Sequence, residues 1–124
     1  MSGPLDGVRV IDLTTIYSGP IATSILGDHG ADVVKIEAPG GEAMRPGFRQ
    51  RRNGLSGPFA MMNRNKRSLV LDLSGDPGKR VLERLLSGAD VVVENFRPGV
   101  MGRLGFGWDR LQAINSRLIY ASIN

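Results

Sequence analysis

A chain of 124 residues with 41% hydrophobic content can bury one core, so it is expected to form one compact domain or part of one. It has no cysteine and a single histidine, His29, which excludes disulfides, thiolate metal sites, cysteine nucleophiles and a histidine-rich metal centre. The net charge of +4 is uneven: Arg45, Arg49, Arg51, Arg52, Arg64, Lys66 and Arg67 form a run without acidic residues, and the remainder carries a net charge of −3.

Residues 8–13 read as a first strand, and residues 20–28 as the helix that follows, with Ser18 or Gly19 at its cap and Pro20 in its first turn. His29 is expected to end that helix. Residues 32–37 give a second strand. Residues 38–58, rich in Gly, Pro and Arg, read as a loop longer than a compact domain tolerates without a functional reason. Residues 68–73 form a third strand. Asp76 is placed to cap the next helix with Pro77 at its first position, where Val81, Leu82, Leu85 and Leu86 make an apolar stripe. Residues 90–94 form a fourth strand whose unbroken Val91, Val92 and Val93 suit a central parallel strand covered on both faces. Short helices are expected over residues 98–104, opened by Pro98, and 109–115. A fifth strand spans 118–122.

Strands alternating with helices imply a parallel sheet with right-handed crossovers, hence an α/β, Rossmann-like three-layer fold. In such a layer ligands bind at the carboxyl ends of the strands, which here are residues 14–19, 37–41, 72–75 and 95–99. Asn95, Phe96 and Arg97 stand out there, since they bring an amide, an aromatic face and a planar permanent charge to the end of a buried strand. Glu37 occupies the place of a ribose-binding acid in nicotinamide-dinucleotide folds. The first strand, however, is followed by one glycine rather than the three that let a pyrophosphate approach a helix, which argues against such a cofactor.

The basic run suggests either a partner carrying phosphates or a solvated loop. Nucleic acid is disfavoured because Phe48 and Phe59 are the only aromatics available for stacking. The amino terminus does not resemble a signal peptide and no apolar run reaches membrane-spanning length, so a cytoplasmic protein is expected, without a membrane partner.

Six segments together resemble the amino-terminal part of class III CoA-transferases, the family of formyl-CoA and carnitine CoA-transferases and the related α-methylacyl-CoA racemases. They are PLDGVRVIDLT at 4–14, SGP at 18–20, GADVVKIE at 30–37, NRNKRS at 63–68, LDL at 71–73 and ADVVVENFRPG at 89–99. The resemblance covers essentially the whole chain, in order. It implies that residues 1–124 are the amino-terminal part of a CoA-binding Rossmann-like domain, with CoA along the carboxyl edge of the sheet and two long chains forming a homodimer. By the same resemblance Ile16, Tyr17 and Ser18 would lie along CoA after the first strand. Leu71, Asp72, Leu73 and Ser74 would hold its nucleotide part, Asn95, Phe96 and Arg97 would contact it after the fourth strand, and Arg103 would bind phosphate, to which planar guanidinium donors are suited. No cofactor is implied beyond CoA and acyl-CoA as substrates, with a carboxylic acid as acceptor.

Two departures from the family pattern matter. Formyl-CoA transferase-like members carry an arginine directly after the second strand, where this chain has Ala38, and Arg45, Arg49, Arg51 and Arg52 are candidates to compensate. The family's nucleophilic aspartate would also lie downstream of the segment at 118–123. It would attack an acyl-CoA thioester to give a mixed anhydride and CoA thiolate before CoA returns to the acceptor. Asp12, Asp32, Asp72 and Asp90 read instead as cap and turn residues. On this reading the chain supplies CoA binding and no catalytic residue, and by itself it would be inactive. The insertion at 42–63 favours a transferase over an acyl-CoA racemase. A non-catalytic CoA- or nucleotide-binding module is the third alternative.

Overall fold

The computed structural model describes residues 3–47 and 51–124. Strand β1 (Arg9–Asp12) is central. It pairs in parallel with β2 (Asp32–Glu37) on one side and β6 (Val91–Glu94) on the other. The outer strands are β5 (Lys66–Val70), parallel to β2, and β7 (Ile119–Ser122), parallel to β6. The spatial order β5-β2-β1-β6-β7 places the five parallel strands third, second, first, fourth, fifth by chain order. That is the order of doubly wound nucleotide-binding sheets, with the reversal between β1 and β6.

Alternation along the strands splits the core between two faces. Ile11, Leu13, Val34, Ile36 and Val92 point to one face and pack with Leu82, Leu86, Met101, Phe106 and Leu111. Those partners lie on or beside α3 (Asp76–Ser87), α4 (Val100–Leu104) and α5 (Trp108–Ile114). Val10, Val33 and Val93 point to the other face with Ala31, where Leu26 of α1 (Ser18–Asp28) covers them. Two covered faces explain why the valines of β6 show no polar alternation: Val92 serves one layer and Val93 the other. Val10, Ile11, Leu82 and Val92 are fully buried, each such side chain stabilising the fold by about 1.5–3 kcal/mol. Among the described residues, no helix is long and apolar enough to cross a membrane.

Local structure departs from expectation at four places. Residues 38–58 are not a featureless loop: they contain an antiparallel pair, β3 (Arg51–Arg52) and β4 (Leu55–Ser56), and the start of α2 (Gly57–Met62). Met44, Phe59 and Met62 form a small core of their own under this excursion, and Ser56 caps α2 by accepting the N–H of Phe59 at 3.2 Å. Phe48 and Arg49 lie outside the described residues.

The third strand of the main sheet begins two residues early, at Lys66, because its pairing with β2 starts opposite Val33. Leu71 keeps one backbone bond to Glu37, and Leu73 has left the sheet. Helix α1 starts two residues before the expected position 20 and α3 one residue before Pro77, with Tyr17 and Gly75 at their caps, while His29 closes α1 as expected. Pro98 does not open α4. Gly99 intervenes as its cap in a left-handed conformation, φ +82°, open to glycine without steric cost.

Candidate functional site

The turn after β1 is held almost entirely by side chains. The buried carboxylate of Asp12 accepts the Thr14 N–H at 2.8 Å, the Thr14 hydroxyl, the Thr23 hydroxyl at 2.7 Å and the Lys66 ammonium at 2.9 Å. Asp12 therefore makes the expected turn and, in addition, a buried ion pair. Burial lowers the pKa of Lys66, and the charge of Asp12 partly restores it. Thr15 is gripped by Asn95, whose side-chain carbonyl accepts the Thr15 N–H and whose amide donates to the Thr15 carbonyl, both at 2.8 Å. Asn95 thus ties the first strand end to the fourth across the point where strand order reverses.

Ile16 takes a left-handed conformation at φ +72°. For a β-branched residue that costs about 1–2 kcal/mol, a strain that persists only where the surroundings impose it. Its N–H donates to Glu42 at 2.8 Å. The other oxygen of Glu42 lies 2.7 Å from the ammonium of Lys35, which also donates to the Thr14 carbonyl at 2.8 Å. Both side chains of this ion pair are 2% exposed.

Glu37 closes β2 but is not free to bind a ribose. Its carboxylate accepts two bonds from Arg45, one from the Ser68 hydroxyl and one from the Glu42 N–H. Burial alone would raise its pKa. The bonds from Arg45, Ser68 and Glu42, with the Arg45 charge, outweigh burial and hold it at about 2. Arg45 also lies over the Phe59 ring, 4.3 Å from its centroid. It is consequently committed to the fold and unavailable to replace an arginine at Ala38.

A cavity of about 500 Å³ opens at the carboxyl edge between these strand ends. Ile16 from the β1 turn, Leu71, Asp72, Leu73 and Ser74 after β5, and Phe96 after β6 all line it. Asp72 forms the expected turn by accepting the Ser74 N–H at 2.9 Å and its hydroxyl at 2.6 Å, and these bonds lower its pKa, the hydroxyl most. Helix α3 packs tightly on this turn, since a Cβ on Gly78 would collide with the Asp72 carbonyl.

Of the other residues expected at the site, Tyr17, Ser18, Asn95, Arg97 and Arg103 do not line this cavity. Tyr17 and Ser18 are exposed at the start of α1. Arg97 lines an adjoining recess of about 150 Å³ with Phe96, Gly99 and Tyr120. The guanidinium of Arg103 reaches back to Gly99, 3.0 Å from where a Cβ would stand, so both exposed arginines flank one rim. In the same recess the Tyr120 hydroxyl donates to Glu94 at 2.8 Å. Burial, then the bond to Glu94 and its charge, push the phenol up to about 12.

Ala38 and Gly41 line the cavity from the strand end expected at 37–41, whereas sequence reasoning missed Lys35 and Glu42 as lining residues. A charged residue inside the apolar strand Asp32–Glu37 was a legible sign that Lys35 has an internal partner. Nothing in the sequence pattern singles out Glu42.

Four residues of the basic run whose side chains are described have carboxylate partners. Besides the Arg45–Glu37 pair, Arg64 pairs with Asp28, Lys66 with Asp12 and Arg67 with Asp32. The acids lie elsewhere in the chain and the fold brings them to the run. Among the described residues, no group of three or more His, Asp or Glu side chains is arranged to hold a metal ion.

These features define a doubly wound parallel α/β protein with a ligand cavity at the carboxyl edge of its sheet. The sequence model of CoA-transferase family III matches residues 5–124, and the chain belongs to that family. It is 48% identical over 123 residues to a formyl-CoA:oxalate CoA-transferase of Streptomyces avermitilis, covering 99% of this chain and 30% of that protein.

Among solved structures, a CAIB/BAIF family protein from Brucella suis superposes with a TM-score of 0.94 at 38% identity, over 100% of this chain and 34% of the other. The hypothetical protein Rv3272 from Mycobacterium tuberculosis gives a TM-score of 0.90 at 47% identity, over 97% of this chain and 33% of its own. The chain therefore spans about a third of the length of the relatives it matches.

Proposed function

We propose that this chain is the CoA-binding part of an enzyme that moves CoA from a CoA thioester to a carboxylic acid, with formyl-CoA as donor and oxalate as acceptor. The observation that carries the reading is the cavity, to which the ends of β1, β2, β5 and β6 all contribute, in a chain nearly half identical to relatives named for that reaction. Ile16 and Phe96 give CoA apolar contact, and Leu71, Asp72, Leu73 and Ser74 follow its nucleotide part. Tyr17 and Ser18 border its path. Arg97 and Arg103, flanking Gly99, offer planar donors that bind phosphate oxygens two at a time. Asn95 acts through the Thr15 backbone that it grips.

In the chemical step a carboxylate attacks the thioester carbonyl and the C–S bond breaks. CoA leaves as the thiolate with the electron pair and a mixed anhydride remains. The thiolate then attacks the enzyme carbonyl and expels formate, and the acceptor carboxylate displaces CoA from the resulting enzyme thioester to give a second anhydride. The thiolate finally attacks the acceptor carbonyl, forming the product thioester and freeing the enzyme carboxylate. The four aspartates on or beside the strands are poor candidates for that nucleophile. Asp12 is fully buried and ion-paired, Asp32 pairs with Arg67, Asp72 holds its turn, and Asp90 accepts the Arg9 N–H. The resemblance to class III CoA-transferases assigns the attacking carboxylate to another part of the full protein, and residues 1–124 alone are expected not to turn over. Cytoplasmic location and a homodimer belong to the same proposal. The exposed apolar residues Tyr17, at the cap of α1, and Ile21 and Ile25 on it, spaced four apart, support a partner surface.

Calorimetry on the full natural protein tests the binding reading. CoA is expected to bind with a Kd of about 1 µM to 1 mM, the range of ordinary enzyme substrates, and formyl-CoA plus oxalate should yield oxalyl-CoA and formate. Absence of binding heat at millimolar CoA would overturn the reading. Binding without exchange between those two acids would instead overturn the substrate assignment.

A further inference from the structure

Three observations converge on Glu42. Its carboxylate is buried, with Lys35 as the sole partner of one oxygen among the described residues. Its other oxygen accepts the N–H of Ile16, a β-branched residue in the left-handed region. Its own N–H is held by Glu37, which is anchored in turn by Arg45 and Ser68. A buried ion pair is weak evidence for stability, because desolvation offsets its attraction. A strained residue held at a ligand cavity, by contrast, points to preorganisation.

We propose that Glu42 is a positioning residue: clamped by Lys35 and Glu37, it holds Ile16 in the left-handed conformation and so fixes the β1 rim of the cavity for CoA. The inference rests on the CoA reading given above. The clamp joins the turn after β1 to the residues after β2, two strand ends that bound the same cavity. Without it, Ile16 relaxes toward the ordinary β or right-handed regions, and its side chain leaves the place it now takes in the cavity wall. Relief of left-handed strain in a β-branched residue corresponds to about a five- to thirtyfold shift in conformer populations, and affinity for a ligand that needs the strained conformer falls by that factor.

The test uses the full natural protein with Glu42→Ala, Glu42→Gln, Ile16→Gly and the double variant Glu42→Ala/Ile16→Gly. Circular dichroism checks folding, calorimetry gives the CoA Kd, and hydrogen exchange follows the peptide containing Ile16. Glu42→Ala is expected to raise the CoA Kd about five- to thirtyfold and to speed exchange of the Ile16 amide. KM for the CoA thioester should rise with Kd while kcat holds, whereas a reduced folded fraction would lower apparent kcat and leave KM in place. Glu42→Gln, which keeps an acceptor for the Ile16 N–H, should lose less.

In the Ile16→Gly background, where a positive φ carries no steric cost, Glu42→Ala should cost less than about threefold. A folded Glu42→Ala protein with Kd within twofold of wild type overturns the proposal, as does an equal loss in both backgrounds. Should Glu42→Ala fail to fold, the same two criteria apply to Glu42→Met, which fills the space but offers the Ile16 N–H no oxygen acceptor, with and without Ile16→Gly. If wild type binds no CoA yet loss of Glu42 exposes the Ile16 amide, the CoA reading fails and the clamp stands. If CoA binds and exchange at Ile16 is unmoved, the clamp fails alone.

Discussion

Replacing Glu37 by glutamine removes the charge at the end of β2 while nearly preserving shape. The carboxylate accepts two bonds from Arg45 and one from Ser68, all at 2.6 Å, and one from the Glu42 N–H at 2.9 Å. Its pKa falls from an ordinary 4.5 to about 2. At about 1.4 kcal/mol per pH unit this corresponds to at most about 3 kcal/mol of stabilisation. The Arg45 side chain is 31% exposed and water screens it, so the expected loss in Glu37→Gln at neutral pH is nearer about 2 kcal/mol.

The folded pKa lies below the unfolded one. The stabilisation is therefore fully present above pH 4.5 and is lost as pH falls toward 2. Urea unfolding of wild type and Glu37→Gln, followed by circular dichroism at about pH 7, 5.5, 4.5 and 3.5, reads this directly. The gap should be constant from pH 7 to 5.5 and shrink below 4.5. A gap under about 0.5 kcal/mol at pH 7, or one unchanged at pH 3.5, would refute the account of Glu37 as an anchored carboxylate.

Lys66→Met leaves the fully buried Asp12 without its counter-charge, and unfolding should show a loss of about 3 kcal/mol, the lower end for a broken buried pair because Asp12 retains its bonds from Thr14 and Thr23. Gly78→Ala forces α3 away from the Asp72 carbonyl and should lower stability by about 1–3 kcal/mol and weaken CoA binding. Gly102→Ala, where an added Cβ meets nothing within 4 Å, should be neutral or slightly stabilising by the same urea measurement. Tyr120 should ionise near pH 12 in an absorbance titration at high pH, and Tyr120→Phe should remove that step. Because its pKa is raised on folding, the contribution of Tyr120 is present below pH 10 and lost as pH climbs through 12.

Much of the fold was legible because its signals are local. The apolar runs at β1, β2 and β6, Pro20 in the first turn of α1 and the stripe ending in Leu82 and Leu86 on α3 each act through neighbours in the chain. The alternation of these elements led to the parallel sheet and its carboxyl edge, and Ile16, Leu71, Asp72, Leu73, Ser74 and Phe96, which the family resemblance had named, line one cavity there. The excursion at 38–58 was not legible: β3 and β4 have two residues each, and Met44, Phe59 and Met62 form a core too small to impose a periodicity.

What the sequence by itself determined was the set of elements, their order and the strand ends where a ligand can bind, since periodicity, turn residues and chain alternation are properties of adjacent residues. Only the tertiary structure decided which charges are spent and which stay available. Arg45, Arg64, Lys66 and Arg67, unpaired along the chain, each meet a carboxylate that folding delivers from elsewhere, whereas Arg97 and Arg103 stay exposed beside Gly99. Coulomb energy depends on distance through space, and Lys35 and Glu42, seven residues apart in the chain, are 2.7 Å apart only because β2 and the loop after it fold back over the turn of β1.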